Sequence, residues 1–494
     1  MTSEAKVITL EAPDGPRPRQ LPSLRKAATG ISGLDEVTGG GLPYGRSTLV
    51  CGPAGCGKTL LAMEFLVRGI TQFDEPGVFV AFEESVDELV ENVASMGFDL
   101  QHLQDDGKLV MDHIQIAPGD LEETGAWDLS GLLIRLGAAI DEVGAKRVVL
   151  DTIETLFGAF EDASILRAEL RRLFLWLKQR GVTAIITGER GEGSLTRHGI
   201  EEYVSDCVIV LDHRVSEQTS TRRLRVMKYR GTLHGTNEYP FLIGRHGVSV
   251  LPITSLGLQH TVSTERVSSG VESLDEMLGG HGLFRGSSVL ISGTAGTGKS
   301  TIAAQFCATA CARGERALYF AFEESEAQII RNMESVGMDL KRWVDAGLLQ
   351  LRCVRPSLLG LEAHLASMQD LVTEYSPDVV VMDPISDLLQ SGGGAMVSEM
   401  LIRQVDFLKS RGVTALFTSL NTYGDEESAA VQQIGSLIDT WMVLKLAESD
   451  GSRHRIIYVL KSRGMAHSHE IRNFVLSDEG LLVDGVFHGA AVHS

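Results

Sequence analysis

Two stretches of this 494-residue chain, "GPAGCGKT" at Gly52–Thr59 and "GTAGTGKS" at Gly293–Ser300, satisfy the pattern G-x-x-x-x-G-K-[ST]. Glycines at this spacing let successive backbone N–H groups wrap around phosphate oxygens. The lysine reaches the β- and γ-phosphates, and the final hydroxyl coordinates Mg²⁺. The chemistry implied is that of ATP with Mg²⁺. Gly52, Gly55, Cys56, Gly57, Lys58, Thr59 and Leu60 are expected to hold one nucleotide. Gly293, Thr294, Gly296, Thr297, Gly298, Lys299, Ser300 and Thr301 are expected to hold another. The metal needs a carboxylate at the end of a neighbouring buried strand, and Asp151 in "RVVLDT" and Asp383 in "VVVMDP" are placed to join Thr59 and Ser300 as its ligands.

Hydrolysis also needs an acceptor that orients the attacking water. The sequence "AFEES" follows each loop, at Ala81–Ser85 and Ala321–Ser325, and puts Glu83–Glu84 and Glu323–Glu324 at the ends of apolar runs. Successive strand side chains point to opposite faces, so the adjacent acids are expected to differ in role, one activating water and the other pairing with a cation. The competing reading is an acidic first turn of a surface helix. Lys228 and Arg230 in "KYRG", and Lys461 and Arg463 in "KSRG", are two apart and predict a cationic strand face. Such a face either stabilises phosphate charge from outside its own domain or protects an exposed sheet edge.

These residues recur because the chain repeats. "GISGLDEVTGGGLPYGRSTLVCGPAGCGKT" answers "GVESLDEMLGGHGLFRGSSVLISGTAGTGKS", and Lys58 and Lys299 lie 241 residues apart, the period of a whole domain. Within each copy, short apolar runs such as Ser47–Cys51, Val78–Phe82, Arg147–Leu150 and Ala184–Thr187 alternate with longer amphipathic stretches. This pattern predicts an α/β fold, a mainly parallel twisted sheet with helices on both faces, ending in hairpins with polar turns. The expected division is a flexible arm over 1–22, domains over 23–255 and 256–486, and a short tail over 487–494.

The 65 acidic and 45 basic side chains leave a formal charge of −20, which disfavours bulk nucleic acid and anionic membranes as partners. Six cysteines without CxxC pairs fit a reducing compartment, and no apolar run reaches membrane-spanning length, so a cytoplasmic location is expected. Cys307 and Cys311, four apart, are read as sharing a helix's core face.

From about Ala27 to about Phe487 the chain resembles the KaiC family, the RecA-like double-domain ATPases and autokinases of the cyanobacterial clock with their bacterial and archaeal relatives. "FEES" after each loop, "RHGIEEYVSDCVIVL" (Arg197–Leu211), "KYRGTLHGTNEYPF" (Lys228–Phe241) and "KSRG…EIRNFVLSDEG" ending at Gly480 carry the resemblance. It implies two tandem RecA-like P-loop NTPase domains, assembled as a homohexameric double ring with ATP at subunit interfaces. It makes Glu83 and Glu323 general bases, each with its following glutamate, and Lys228, Arg230, Lys461 and Arg463 cations acting across subunits. Arg222 and His234 match further nucleotide contacts of the first ring. It also implies autophosphorylation within "QQIGSLIDTW" (Gln432–Trp441), where Ser436 stands at the family's Thr position and Gly435 replaces the adjacent Ser. A glycine has no hydroxyl, so one site remains where the family has two. The few residues after "LSDEGLLVDGVFHG" disfavour a KaiA-type activator, which binds a longer tail, and leave a KaiB-like partner of the first ring open. The reading is a timing or signalling switch. A RecA- or DnaB-like DNA-stimulated ATPase shares the core but fits this acidic, aromatic-poor chain less well. A nucleotide-bound scaffold is disfavoured by the intact Lys, Asp and Glu in both halves.

Overall fold

Apolar, β-branched runs in each half form strands buried on both faces, as parallel strands covered by helices must be. The computed structural model describes residues 24–114, 129–157, 163–191, 205–216, 219–245, 247–251, 263–356, 360–390, 394–420, 434–449, 452–478 and 480–488. The first unit contains β1 (Lys26–Ala27), β2 (Leu42–Pro43), β3 (Ser47–Gly52), β4 (Gly77–Ala81), β5 (Leu109–His113), β6 (Arg147–Asp151), β7 (Thr183–Glu189), β8 (Cys207–Ser216), β9 (Thr219–Tyr229), β10 (Glu238–Gly244) and β11 (Gly247–Val250). Its helices are α1 (Leu34–Val37), α2 (Lys58–Phe73), α3 (Val86–Ala94), α4 (Leu100–Asp105), α5 (Ser130–Val143), α6 (Glu154–Phe157) and α7 (Ala163–Arg180).

The second unit repeats this plan. Its strands are β12 (Arg266–Val267), β13 (Leu283–Phe284), β14 (Ser288–Gly293), β15 (Ala317–Ala321), β16 (Leu349–Cys353), β17 (Val379–Asp383), β18 (Thr414–Leu420), β19 (Thr440–Ser449), β20 (Ser452–Ser462), β21 (Arg472–Ser477) and β22 (Gly480–Val486). Its helices are α8 (Glu272–Met277), α9 (Lys299–Ala312), α10 (Glu326–Glu334), α11 (Lys341–Asp345), α12 (Leu361–Tyr375), α13 (Ile385–Gln390) and α14 (Gly394–Ser410).

The main sheets have nine strands each, ordered β11-β10-β9-β8-β3-β7-β6-β4-β5 and, equivalently, β22-β21-β20-β19-β14-β18-β17-β15-β16. In the first, β8, β3, β7, β6, β4 and β5 run parallel, while β9, β10 and β11 return antiparallel. α2 and its neighbours fill one face with Leu61, Phe65 and Leu66, and α5 and α7 fill the other with Leu136, Leu170 and Leu173. Cys307 and Cys311 are buried in the second unit's core, and no described helix is long and apolar enough to cross a membrane.

The copies differ where a buried charge replaces an apolar contact. Arg147, 1% exposed at the start of β6, pairs with Glu75 at 2.7 Å and donates to Phe65 O at 2.8 Å and Ala28 O at 2.7 Å. It passes over α2 at Gly69, where an added Cβ would lie 2.4 Å from Arg147 Cδ. The second unit has Ala310 and Val379 at these two places. The pairs are therefore coupled by volume: glycine accompanies arginine, and alanine accompanies valine. Gly69→Ala alone is expected to destabilise the first unit by ~1–3 kcal/mol through overpacking. Gly69→Ala combined with Arg147→Val should recover most of that loss, read from the shift of the urea midpoint.

Candidate functional site

Each phosphate loop leaves the carboxyl end of a central strand, β3 or β14, and opens directly into α2 or α9. The last loop glycine must be glycine for two reasons. Gly57 and Gly298 have φ of 103° and 97°, and an added Cβ would approach Ile243 Cδ1 to 2.8 Å or Phe474 Cε1 to 2.7 Å. Lys58 Nζ donates to Gly52 O at 2.9 Å and Pro53 O at 3.1 Å, and Lys299 Nζ donates to Gly293 O at 2.9 Å and Thr294 O at 2.8 Å. Both lysines are buried. Burial lowers the Lys299 pKa, while Asp383 and Glu323 act to raise it.

Asp151 and Asp383 end the strands beside Ala81 and Ala321. Asp151 accepts from Thr187 and Thr59, so the loop hydroxyl and the expected metal carboxylate already meet. Burial pushes the Asp151 carboxyl up, and these hydrogen bonds and Lys58 pull it back. Asp383 accepts from Thr418 and, at 2.5 Å, from the buried Tyr319 hydroxyl. The first unit has Phe79 where Tyr319 stands. Mg²⁺ fits this donor set, a hydroxyl plus one carboxylate with room for waters. Among the described residues no group of three or more His, Cys, Asp and Glu gathers as a metal cage.

The paired acids do face different partners, but not through strand alternation, because β4 and β15 end at Ala81 and Ala321. The chain has already turned toward the helix that follows. Ser85 and Ser325 are the N-caps, closed as capping boxes by Glu88 and Gln328, which assigns the serine of "AFEES" a structural role. Glu83 accepts from Thr152 at 2.9 Å and Thr155 at 3.2 Å, whereas Glu84 accepts from Asn92 at 3.4 Å. Glu324 accepts from Asn332 at 3.2 Å, matching Glu84.

Glu323 has lost both hydroxyl partners, because Pro384 and Asp387 occupy the places of Thr152 and Thr155. It shares a hydrogen bond with Asp387, and burial, Asp387 and Asp383 together raise its pKa. Asp387 is also raised, by burial. None of these secondary partners stands out in sequence, since each comes from a separate strand or turn.

The cations lie elsewhere. β8 runs parallel to β3 with Cys207 beside Thr48, and β9 returns antiparallel with Tyr229 beside Cys207. Lys228 and Arg230 therefore sit at the amino edge of the sheet, and the phosphate loop at the carboxyl edge. The six residues of β3, at about 3.3 Å each, put roughly 20 Å between the two edges. Arg230 follows the last residue of β9, and Arg463 follows the last residue of β20, so neither completes the expected strand face. A register shift at Val208/Ile209, repeated at Trp441/Met442, skips Met227 and Leu460 and re-aims the lysine after each.

His234 joins Lys228 and Arg230 at the amino edge, its ring 6.2 Å from that of Tyr229. Arg222 does not. It pairs in register with His213 near the carboxyl edge, and its buried Nε has no partner among the described residues. Arg455, which holds the same place in the second unit, donates to the phosphate-loop carbonyl of Gly296 at 3.0 Å. The structure thus separates Arg222 from Lys228, Arg230 and His234 and puts it at the phosphate-loop edge of the sheet.

The family described as "ATPase: KaiC" matches residues 27–255 and again 267–485. The chain belongs to the KaiC ATPase family. The circadian clock protein KaiC2 of Synechocystis is 53% identical over 462 residues, 93% of this chain and 81% of the relative. The circadian clock oscillator protein KaiC of Synechococcus elongatus is 40% identical over 461 residues, 93% and 89% of the two chains. KaiC 1 of Synechocystis is 39% identical over 471 residues, 95% and 90%. The two nine-stranded sheets are the tandem RecA-like domains of KaiC proteins, and the chain, like its family, is an ATPase.

Part of the segment expected to carry phosphate is described from Ile434 onward. Lys461 Nζ donates to Gly435 O at 2.7 Å, and Arg463 donates to Ser436 O, so the amino-edge cations hold this turn. Ser436 is exposed. A Cβ on Gly435 would lie 2.4 Å from Trp441 Cζ3, and the Trp441 indole is fixed by donating to Ser292 Oγ at 2.8 Å. The indole therefore excludes any side chain at position 435, a constraint that a local reading of the sequence does not reveal.

The raised carboxyl of Glu323, an expected base, gives a pH prediction. A base must be ionised to act, and the Glu323 carboxyl is held above its usual range, so second-unit hydrolysis should fade on acidification at a pH above the usual carboxylate range. Asp387→Thr restores the first unit's hydroxyl and removes a neighbouring carboxylate, so the acid limb should move to lower pH. ATPase pH profiles in a Glu83→Gln background check this, and an unmoved limb counts against it.

Proposed function

We propose that this KaiC-family ATPase works as a homohexameric double ring in which each nucleotide lies between subunits, with Mg²⁺ held by Thr59 and Asp151 in one ring and by Ser300 and Asp383 in the other. Glu83 and Glu323 activate the attacking water. Glu84 and Glu324, each bonded to an asparagine, brace the turn beside them. Lys228, Arg230 and His234, and in the second ring Lys461 and Arg463, stabilise charge on the neighbouring subunit's nucleotide. The observation that carries this reading is the placement of loop and cations at opposite edges of one sheet. No single chain can close its own site.

In the second ring the same placement puts Ser436 beside the cations, about a strand's length from its own Lys299. A phosphoryl group reaching Ser436 must then come from the neighbour's nucleotide, with the neighbour's Glu323 taking the hydroxyl proton. With one hydroxyl where the family has two, the output is a single phosphoform, suited to a timing or signalling switch in the cytoplasm. A KaiB-like protein is the candidate partner, and a KaiA-like activator is not proposed.

Subunit mixing tests the shared site. In a Glu323→Gln background, chains with Lys58→Ala and chains with Lys228→Ala and Arg230→Ala should each lose first-ring ATPase. Mixed 1:1 and reassembled, roughly a quarter of interfaces would pair an intact loop with intact cations, and activity should return in that proportion. No recovery from mixtures shown to be hexameric by native mass measurement would refute the shared site. Phosphopeptide mapping with ATP and Mg²⁺ should find phosphate on Ser436 and lose it in Ser436→Ala.

A further inference from the structure

The strand beside each metal-site carboxylate carries a different aromatic ring. β4 reads "GVFVA" and β15 reads "ALYFA", so Phe79 and Tyr319 occupy the same third place. Both rings point toward the phosphate-loop helix, Phe79 buried in the core beneath α2 and Tyr319, 1% exposed, in the core beneath α9. A phenyl ring suits such a core as it stands. A phenolic hydroxyl does not, unless it finds an acceptor there. The acceptor is Oδ2 of Asp383, at 2.5 Å.

Asp383 ends β17, which lies between β18 and β15 in the sheet. Each neighbour supplies one donor: Thr418 of β18 donates to Oδ1, and Tyr319 of β15 donates to Oδ2. With its two oxygens engaged from opposite sides, the carboxylate cannot turn about Cβ–Cγ without breaking a hydrogen bond. Asp151 keeps the equivalent of the first grip, from Thr187 at Oδ1, but the Phe79 ring has no donor to offer. Its further hydrogen bond is with Thr59 of the phosphate loop. Two strands therefore hold the second unit's carboxylate, whereas one strand and the loop hold the first unit's.

We propose that Tyr319 is a positioning residue for the second unit's metal: it holds the Asp383 carboxylate in one orientation and makes this site more selective for Mg²⁺ over Ca²⁺ than the Phe79 site. Mg²⁺ tolerates little departure from octahedral geometry and keeps several of its waters, so the group that receives those waters must be fixed. Ca²⁺ takes more oxygens in a flexible geometry and accepts a carboxylate that turns. Hydrogen bonds to a metal-site carboxylate are the usual means of fixing it. Tyr319 acts only through Asp383. The inference rests on the reading that Ser300 and Asp383 hold Mg²⁺, and it adds the side chain that aims the carboxylate.

The test uses the full chain with the non-hydrolysable analogue β,γ-imido-ATP and Mn²⁺, whose EPR signal counts bound metal without turnover. Asp383→Asn should remove the second unit's class of Mn²⁺ site and Asp151→Asn the first unit's, which assigns the two classes. Mg²⁺ and Ca²⁺ are then titrated as competitors. In Tyr319→Phe, Mg²⁺ should compete about tenfold more weakly at the second unit's sites and Ca²⁺ within about twofold of wild type, with both metals unchanged at the first unit's sites. The urea midpoint and native mass report that the variant is folded and assembled. If Asp383→Asn leaves every Mn²⁺ site in place, the metal assignment fails and this inference with it. If Asp383→Asn removes its sites but Tyr319→Phe leaves Mg²⁺ competition unchanged, or weakens Mg²⁺ and Ca²⁺ equally as a general loosening of the core would, the positioning role alone is overturned.

Discussion

Strand direction decides what each half of this protein can do alone. A parallel sheet brings every strand's carboxyl end to one edge, and the phosphate loop, the carboxylate proposed for the metal and the glutamate proposed as base all sit there because they are the residues that leave those strands. The β8–β9 and β19–β20 hairpins reverse the chain and carry the lysine–arginine pairs back to the other edge. No side-chain rearrangement moves a cation across a six-residue strand. The two halves of the chemistry are therefore built apart, and the proposed ring is the arrangement that lets the amino edge of one subunit meet the carboxyl edge of the next. In that ring, nucleotide between the edges would supply the charge that both are proposed to bind, which would link assembly to ATP.

On this shared plan the copies have diverged in their electrostatics. Glu83 accepts hydrogen bonds from two hydroxyls, those of Thr152 and Thr155. Glu323 faces Asp387, an environment that favours a retained proton. The metal carboxylates differ as well: Asp383 accepts from a buried tyrosine that the first unit replaces with Phe79. A base with a raised pKa accepts a proton more readily from a hydroxyl nucleophile such as Ser436. The division of labour proposed for the rings thus has a physical basis in three substituted positions, Thr152/Pro384, Thr155/Asp387 and Phe79/Tyr319.

The strands, the phosphate loops and the Asp151 and Asp383 carboxylates were legible in the sequence because each depends on local signals: an apolar run, a glycine pattern, an acid at a strand's end. The placement of Lys228 opposite Lys58 was also implicit, given the hairpin. What the sequence did not disclose are contacts set by packing between distant segments. Glu83 and Glu84 were expected to diverge by strand alternation, yet the strand ends two residues earlier and a capping box turns the chain. The exclusion of a side chain at Gly435 depends on where Trp441 packs, and the passage of Arg147 over Gly69 depends on how α2 lies against β6. In each case the residue's neighbour in space lies in another element, so no period or motif along the chain records it.

The repeat also gives the protein two directions of contact. Along the strands, carboxyl edge meets amino edge. Across the helical layer, the tip of the first unit, with Leu251, fills the α12/α14 groove of the second. α14 leads into β18, and β18 carries the Thr418 hydroxyl that donates to Asp383, so this contact is one helix and one strand away from the second unit's phosphate-loop edge. The first unit can alter the second by this route only if its grip on α14 differs between two positions of that helix, because a bound group shifts an equilibrium by no more than its difference in affinity for the two states.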